Sequence, residues 1–229
     1  MLLAAGASTR FGSPKMLAPV PPAGRPMLAH VIDVWRNAGF ADVIVVLGKD
    51  AAFLRGRIEE HLLRVRKSDG EAEAREEGAG LGDGVAARTA VAGAPPPATR
   101  FIENRDWERG MFSSVQSGLA AASRSSTHVA VSPADLPFLG GSSLRAVLDA
   151  ANLPEADSRT LLVPVCGRRR GHPLVIPALL AARVLSWPAD ARLDRLFAEP
   201  DVKVLHVEGF DETILRDVDT PADLALLRS

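Results

Sequence analysis

Arg10 and Lys15 share a loop of small residues, Leu3-Ala4-Ala5-Gly6-Ala7-Ser8-Thr9-Arg10-Phe11-Gly12-Ser13-Pro14-Lys15, that follows a short apolar run. Glycine accepts positive φ and lets a backbone come close to a ligand. Successive N–H groups in such a turn make a concave anion site, and nearby cations then neutralise a polyphosphate. Arginine grips a phosphate with two parallel hydrogen bonds, while lysine acts as a compact point charge. The loop is not G-x-G-x-x-G, because Ser8 fills the second glycine position, and it is not the Walker A pattern. The competing reading is a charged surface loop; a place after a strand and among glycines argues for phosphate.

Carboxylates recur later at element ends. Asp135, in Ser132-Pro133-Ala134-Asp135-Leu136-Pro137, ends a strand-like run. It suits a hard cation such as Mg²⁺, and equally a turn opening before proline. Asp219, in Asp217-Val218-Asp219-Thr220-Pro221, stands at the mouth of the last helix. There Thr220 can cap, Pro221 suits the first turn and Asp223 completes a capping box. Capping leaves Asp217 and Asp219 unassigned, and Asp219 is the second candidate metal ligand.

Several other groups have two readings each. Ser113 and Gln116 in Gly110-Met111-Phe112-Ser113-Ser114-Val115-Gln116 read as an S-x-x-Q helix start. Such a start also aims hydroxyls and free N–H groups at a ligand. Arg25 adds to a phosphate field or serves only the surface. Asn104 and Trp107 line a pocket or pack. Arg168-Arg169-Arg170, before Gly171-His172-Pro173, is an exposed basic turn or an anion contact. Cys166 ends an apolar strand and reads as packing. His30, His61, His128 and His206 form no ligand spacing, and no zinc site or Ser/His/Asp constellation is found.

L-A-A-G-x-S-x-R-x-G-x-x-K resembles the signature loop of the MobA-like nucleotidyltransferases, and the later blocks resemble that family's in the same order. The nearest branch is the molybdenum cofactor cytidylyltransferases, the MocA-like group. The resemblance implies a Rossmann-like, GT-A-like α/β fold and Mg²⁺-dependent transfer of CMP from CTP, or of another NTP's nucleotide, to the phosphate of molybdopterin, with pyrophosphate released. It implies nucleotide binding by Leu3, Ala4, Ala5, Gly6, Arg10, Gly12, Lys15, Gly110, Ser113 and Ser114, with Arg10, Lys15 and Asp135 catalytic. Asp135 and Asp219 would hold the metal, and Gly171 and His172 would border the acceptor. Ala5 matters for base choice, since guanylyl-transferring relatives tend to show Leu-Ala-Gly-Gly. A molybdoenzyme or its chaperone is the further partner implied. The alternatives are transfer to a sugar phosphate or methylerythritol phosphate, and a non-catalytic nucleotide-binding accessory protein.

Alternating strand-like and helix-like segments must position these groups. They predict a three-layer α/β architecture with a mostly parallel central sheet covered by helices, ligands lying at the carboxyl ends of strands. The 229 residues read as one nucleotidyltransferase domain. Helices are expected at 26–38, 51–66, 114–122, 142–151, 177–185, 191–197 and 221–227. Strands are expected at 42–47, 101–103, 128–131, 161–165 and 202–207, besides the short first run. Residues 67–100, rich in Glu and Ala and then in Gly and Pro, read as a flexible insertion. With 27 basic and 28 acidic residues there is no broad attraction to nucleic acid or to an anionic membrane. One cysteine and the lack of a secretory pattern predict a cytoplasmic protein. Because Met1-Leu2-Leu3 runs straight into the loop, a start several residues upstream is expected.

Overall fold

Strands buried on both faces read as continuous apolar runs, and Asp42–Leu47 is such a run, with all but its first residue buried. The computed structural model describes residues 1–6, 11–78, 98–122 and 124–226. The chain opens with β1 (Leu2–Ala4), a two-residue pair β2 (Pro19–Val20) and β3 (Arg25–Pro26), α1 (Met27–Asn37) and β4 (Asp42–Leu47). Next come α2 (Ala51–Gly78), β5 (Ala98–Glu103), α3 (Met111–Ala121), β6 (His128–Pro133) and α4 (Gly141–Ala150). The remainder is β7 (Thr160–Cys166), β8 (Arg169–Arg170), β9 (Leu174–Pro177), α5 (Ala178–Leu185), β10 (Lys203–Val207) and α6 (Pro221–Ala225).

The main sheet runs β10-β7-β9-β6-β1-β4-β5, with β8 beside β7. Its pairings are parallel except those of β8 and β9. Side chains alternate across a strand, so β4 sends Val43, Val45 and Leu47 to one face and Ile44 and Val46 to the other. The first face packs under α1, α2 and α4 through Leu28, Ile32, Trp35, Ile58 and Leu144. The second lies under α3 and α5 through Val115, Leu119, Leu180 and Val184. This is the three-layer arrangement expected. Met1 belongs to it as well: its amine is buried, donates to the Ala130 carbonyl at 2.6 Å, and is pushed by that burial down to about 5. Among the described residues, no helix is long and apolar enough to cross a membrane.

In α1, Leu28, Val31, Ile32 and Trp35 form the buried stripe predicted from their spacing. Gly39 (φ +97°) follows the helix in the left-handed conformation that ends many helices. Trp35 is 1% exposed and stacks on Phe40 with ring centroids 4.6 Å apart. Trp35→Ala is expected to cost about 3–5 kcal/mol of stability, read as a lower midpoint in urea unfolding.

Three expectations change. The helix placed at 51–66 continues to Gly78, because the Glu/Ala/Arg tract is rich in strong helix formers. Residues 79–97 of the expected insertion lie outside the described residues. The pattern did not foresee β8 or β9, and β9 enters antiparallel between β6 and β7. The helix expected at 191–197 is a short 3₁₀ segment, Leu193–Ala198.

Candidate active site

A crevice opens where chain connections leave neighbouring parallel strands in opposite directions. Here β1 lies between β4 and β6, and a cleft of about 450 Å³ forms at their carboxyl ends. Its floor is the strand-to-loop turn Leu3-Ala4-Ala5-Gly6, with Phe11, Lys15 and Met16 on one side. Trp107, Glu108, Gly110, Met111 and Ser114 line the cleft as a second wall, and Pro133, Asp135 and Asp219 line it as well.

The charged centre is built from three distant segments. Lys15 starts a 3₁₀ turn, Lys15–Leu17, and is only 9% exposed. Its Nζ donates to Asp135 Oδ2 at 2.7 Å and to Asp219 Oδ1 at 3.3 Å. Backbone pairing brings the two acids together: Ala134 N–H bonds the Leu3 carbonyl at 3.0 Å, and Val218 N–H bonds the Asp135 carbonyl at 2.9 Å. The capping box then holds Asp219 at its helix. Thr220 Oγ1 accepts from Asp223 N–H, while Asp223 Oδ2 accepts from the N–H groups of Thr220 and Asp219. The Thr220 hydroxyl, donating to Asp223 Oδ2 at 2.8 Å, lowers the Asp223 pKa most, and the backbone N–H bonds of Thr220 and Asp219 lower it further.

Among the described residues, two carboxylates face the Lys15 ammonium. Asp135 Oδ1 is moreover buried and has no hydrogen-bond partner among the described residues. An orphaned hard oxygen beside a second carboxylate fits a divalent cation. Among the described residues, no group of three or more His, Cys, Asp or Glu side chains could hold one. The fit is therefore to a cation such as Mg²⁺, which takes one or two carboxylates and completes its shell with water and phosphate.

The wall carrying Ser114 rests on a polar hub. Asn104, 3% exposed, donates from Nδ2 to Ser113 Oγ (2.9 Å) and Ser114 Oγ (3.0 Å), and its Oδ1 accepts from Asp106 N–H. Ser113 is not the helix cap that S-x-x-Q suggested. The helix begins earlier, with Gly110 (φ +102°) at its N-cap and no side-chain cap bond. Ser113 Oγ donates to the Gly110 and Asp106 carbonyls, and Gln116 turns away to the carbonyls of Val184 and Trp187. Thus Ser114 lines the cleft while Ser113 and Asn104 support it from beneath.

Gly48 packs where this wall meets the floor. A Cβ there would stand 2.6 Å from the Ala5 carbonyl oxygen and 2.7 Å from Trp107 Cβ. Gly48→Ala is therefore expected to cost about 1–3 kcal/mol by overpacking. It should also weaken nucleotide binding by displacing the floor; unfolding and equilibrium dialysis measure the two effects.

Other predicted residues are placed differently. Arg10 lies outside the described residues, and Gly12 is exposed with φ +72°. Arg25 pairs with Asp33 at 3.5 Å. Gly171 is packed so closely that a Cβ would meet the Ile214 carbonyl at 2.7 Å, and His172 N–H bonds that same carbonyl. Burial lowers the His172 pKa, against the opposing influence of Asp135, the Val131 backbone and Asp217. The imidazole thus sits near Asp135 but does not line the cleft. Arg168 and Arg170 border a separate hollow with His206 and Glu208. Arg169 pairs with Glu212, and Arg170 lies over the Phe197 ring. Phe11, Met16, Glu108, Met111 and Pro133 were not singled out from the sequence. Met111, 69% exposed at the start of its helix, is recognisable only once the cleft is seen.

Comparison with known proteins bears on the fold and the family. Nicotine blue oxidoreductase of Paenarthrobacter nicotinovorans is 29% identical over 232 residues, covering 96% of this chain and 91% of that protein. Bifunctional protein GlmU of Agrobacterium fabrum is 42% identical over 79 residues, which are 31% of this chain. The match spans only 17% of that GlmU. Among solved structures, a nucleotidyl transferase from Methanothermobacter superposes with a TM-score of 0.68 at 20% identity, over 99% of this chain and 94% of its own. Rv0371c of Mycobacterium tuberculosis, crystallised as a complex with manganese, gives 0.60 at 21% identity, over 99% and 95%. The MobA-like NTP transferase domain matches residues 1–204. Since that match covers most of its length, the chain belongs to the MobA-like NTP transferase family.

Proposed function

We propose that the protein transfers CMP from CTP to the phosphate of a molybdopterin acceptor and releases pyrophosphate, with Mg²⁺ as cofactor and the cytoplasm as its compartment. The observation that carries this reading is the meeting of Lys15, Asp135 and Asp219 in one cleft beside the Leu3–Gly6 turn. An acceptor phosphate oxygen attacks the α-phosphorus of CTP. The new P–O bond forms as the bond to the β-phosphate oxygen breaks, and pyrophosphate leaves with that electron pair. The nucleophile is already ionised at neutral pH, so alignment and charge neutralisation carry the rate. Bound by Asp135 and Asp219, Mg²⁺ would supply charge neutralisation at the reacting phosphate oxygens. Lys15 counters the triphosphate, Arg10 the departing pyrophosphate, and Ser114 and Gly110 border the nucleoside. Gly171 and His172 hold the loop on the acceptor side. The Leu-Ala-Ala-Gly sequence supports the cytidylyl choice, and manganese in a structural neighbour supports a divalent cation.

A second reading rests on the relative matched over nearly the whole chain, whose name is that of an oxidoreductase. The serine at the second glycine position of the loop and the paired acids opposite weigh against it. Purified protein with CTP, GTP, ATP or UTP, Mg²⁺ and each candidate acceptor, assayed for pyrophosphate, tests the proposal. Release with CTP and molybdopterin is expected. Release with GTP alone, or only with a sugar phosphate or methylerythritol phosphate, would overturn the assigned substrates. Oxidation of NADH or NADPH without pyrophosphate release would favour the second reading.

A further inference from the structure

We infer that Lys15 occupies the space between Asp135 and Asp219 as a resident cation, so the site takes its metal together with a polyphosphate rather than alone. The inference rests on the nucleotidyl-transfer reading above. Nζ lies 2.7 Å from Asp135 Oδ2 and 3.3 Å from Asp219 Oδ1, so one ammonium serves both acids. A divalent ion bridging those acids would sit about 2.0–2.1 Å from their oxygens. It would then come within a few ångströms of the ammonium, where like charges repel. Lys15 and the metal therefore compete for the same carboxylates.

Lys15 also lines the cleft. An entering triphosphate gives it a new anionic partner and draws it off the acids. Metal and polyphosphate binding are then positively coupled, each strengthening the other by the same factor. Asp135 Oδ1, the oxygen that Lys15 does not engage, is buried without a hydrogen-bond partner among the described residues and is ready for the incoming ion. The lysine thus has two stations, one on the acids and one on the phosphates.

The test uses Mn²⁺ alone, titrated calorimetrically into the full chain without nucleotide. Lys15→Met and Lys15→Gln are expected to bind Mn²⁺ at least about tenfold more tightly than the unaltered protein. Unchanged or weaker binding in these variants overturns the inference. Adding Asp135→Asn to Lys15→Met should remove the gain, and a gain that persists places the metal elsewhere and also overturns it. The unaltered protein gives a readout that needs no variant to fold. Acetic anhydride labelling of Lys15, followed by peptide mass spectrometry, should accelerate when Mn²⁺ is raised to saturation, and unchanged labelling counts against displacement. These measurements contain no nucleotide. Failure of the transferase reading appears separately, as no pyrophosphate release with any NTP.

Discussion

Asp135→Asn is expected to lower pyrophosphate release from CTP at least about a hundredfold, and as much as about a thousandfold, with the fold retained. The substitution keeps the shape of the side chain and removes its charge. It turns one of the two carboxylate oxygens, the one 2.7 Å from Lys15 or the buried Oδ1 that lacks a partner among the described residues, into an amide NH₂ that cannot ligate a cation. Stability should change less than activity, because Lys15 keeps Asp219 and the Val218 N–H bond goes to the Asp135 backbone carbonyl, which asparagine also has. Circular dichroism and thermal unfolding check the fold, equilibrium dialysis checks CTP binding, and the pyrophosphate assay reads the rate. Turnover within about threefold of the unaltered protein would remove Asp135 from the chemistry.

Lys15→Met should lower kcat about a hundredfold, equivalent to about 2.7 kcal/mol, and raise the KM for CTP, so that the loss in kcat/KM is larger still. The methionine stem preserves most of the packing of a residue only 9% exposed, so the charge is the principal loss. Lys15→Arg should not restore the rate, since a planar fork differs in shape from a compact ammonium seated between two acids. Steady-state kinetics with all three proteins measures this, and full rescue by arginine would mean that only net charge matters. The same Lys15→Met change is expected to tighten metal binding while it slows turnover. A purely structural lysine would move neither in that paired way.

Much of the frame was legible before any coordinates. The apolar run Asp42–Leu47 lies where its composition put it, because a strand buried on both faces needs no alternation to declare itself. Thr220, Pro221 and Asp223 announced the start of α6, since a cap uses only contacts three residues away. The Glu/Ala tract misled because glycine and proline further on suggested an irregular stretch beginning too early, whereas its own residues favour helix through Gly78. Ser113 misled for a related reason. S-x-x-Q is a local pattern, and Gly110 with the Asn104 hub had already set the helix start.

What the sequence determined by itself was the chemistry available: a glycine-containing loop with cations, and acids standing at the ends of elements. The tertiary structure decided which of them meet. Lys15 joins acids 120 and 204 residues away, through β1 lying beside β6 and the Val218–Asp135 backbone bond. It also placed β9 antiparallel between β6 and β7, a choice invisible in three apolar residues between prolines. The physical reason is range. Propensity, capping and alternation act within a few residues, whereas strand order and charge convergence arise only when distant segments are buried together.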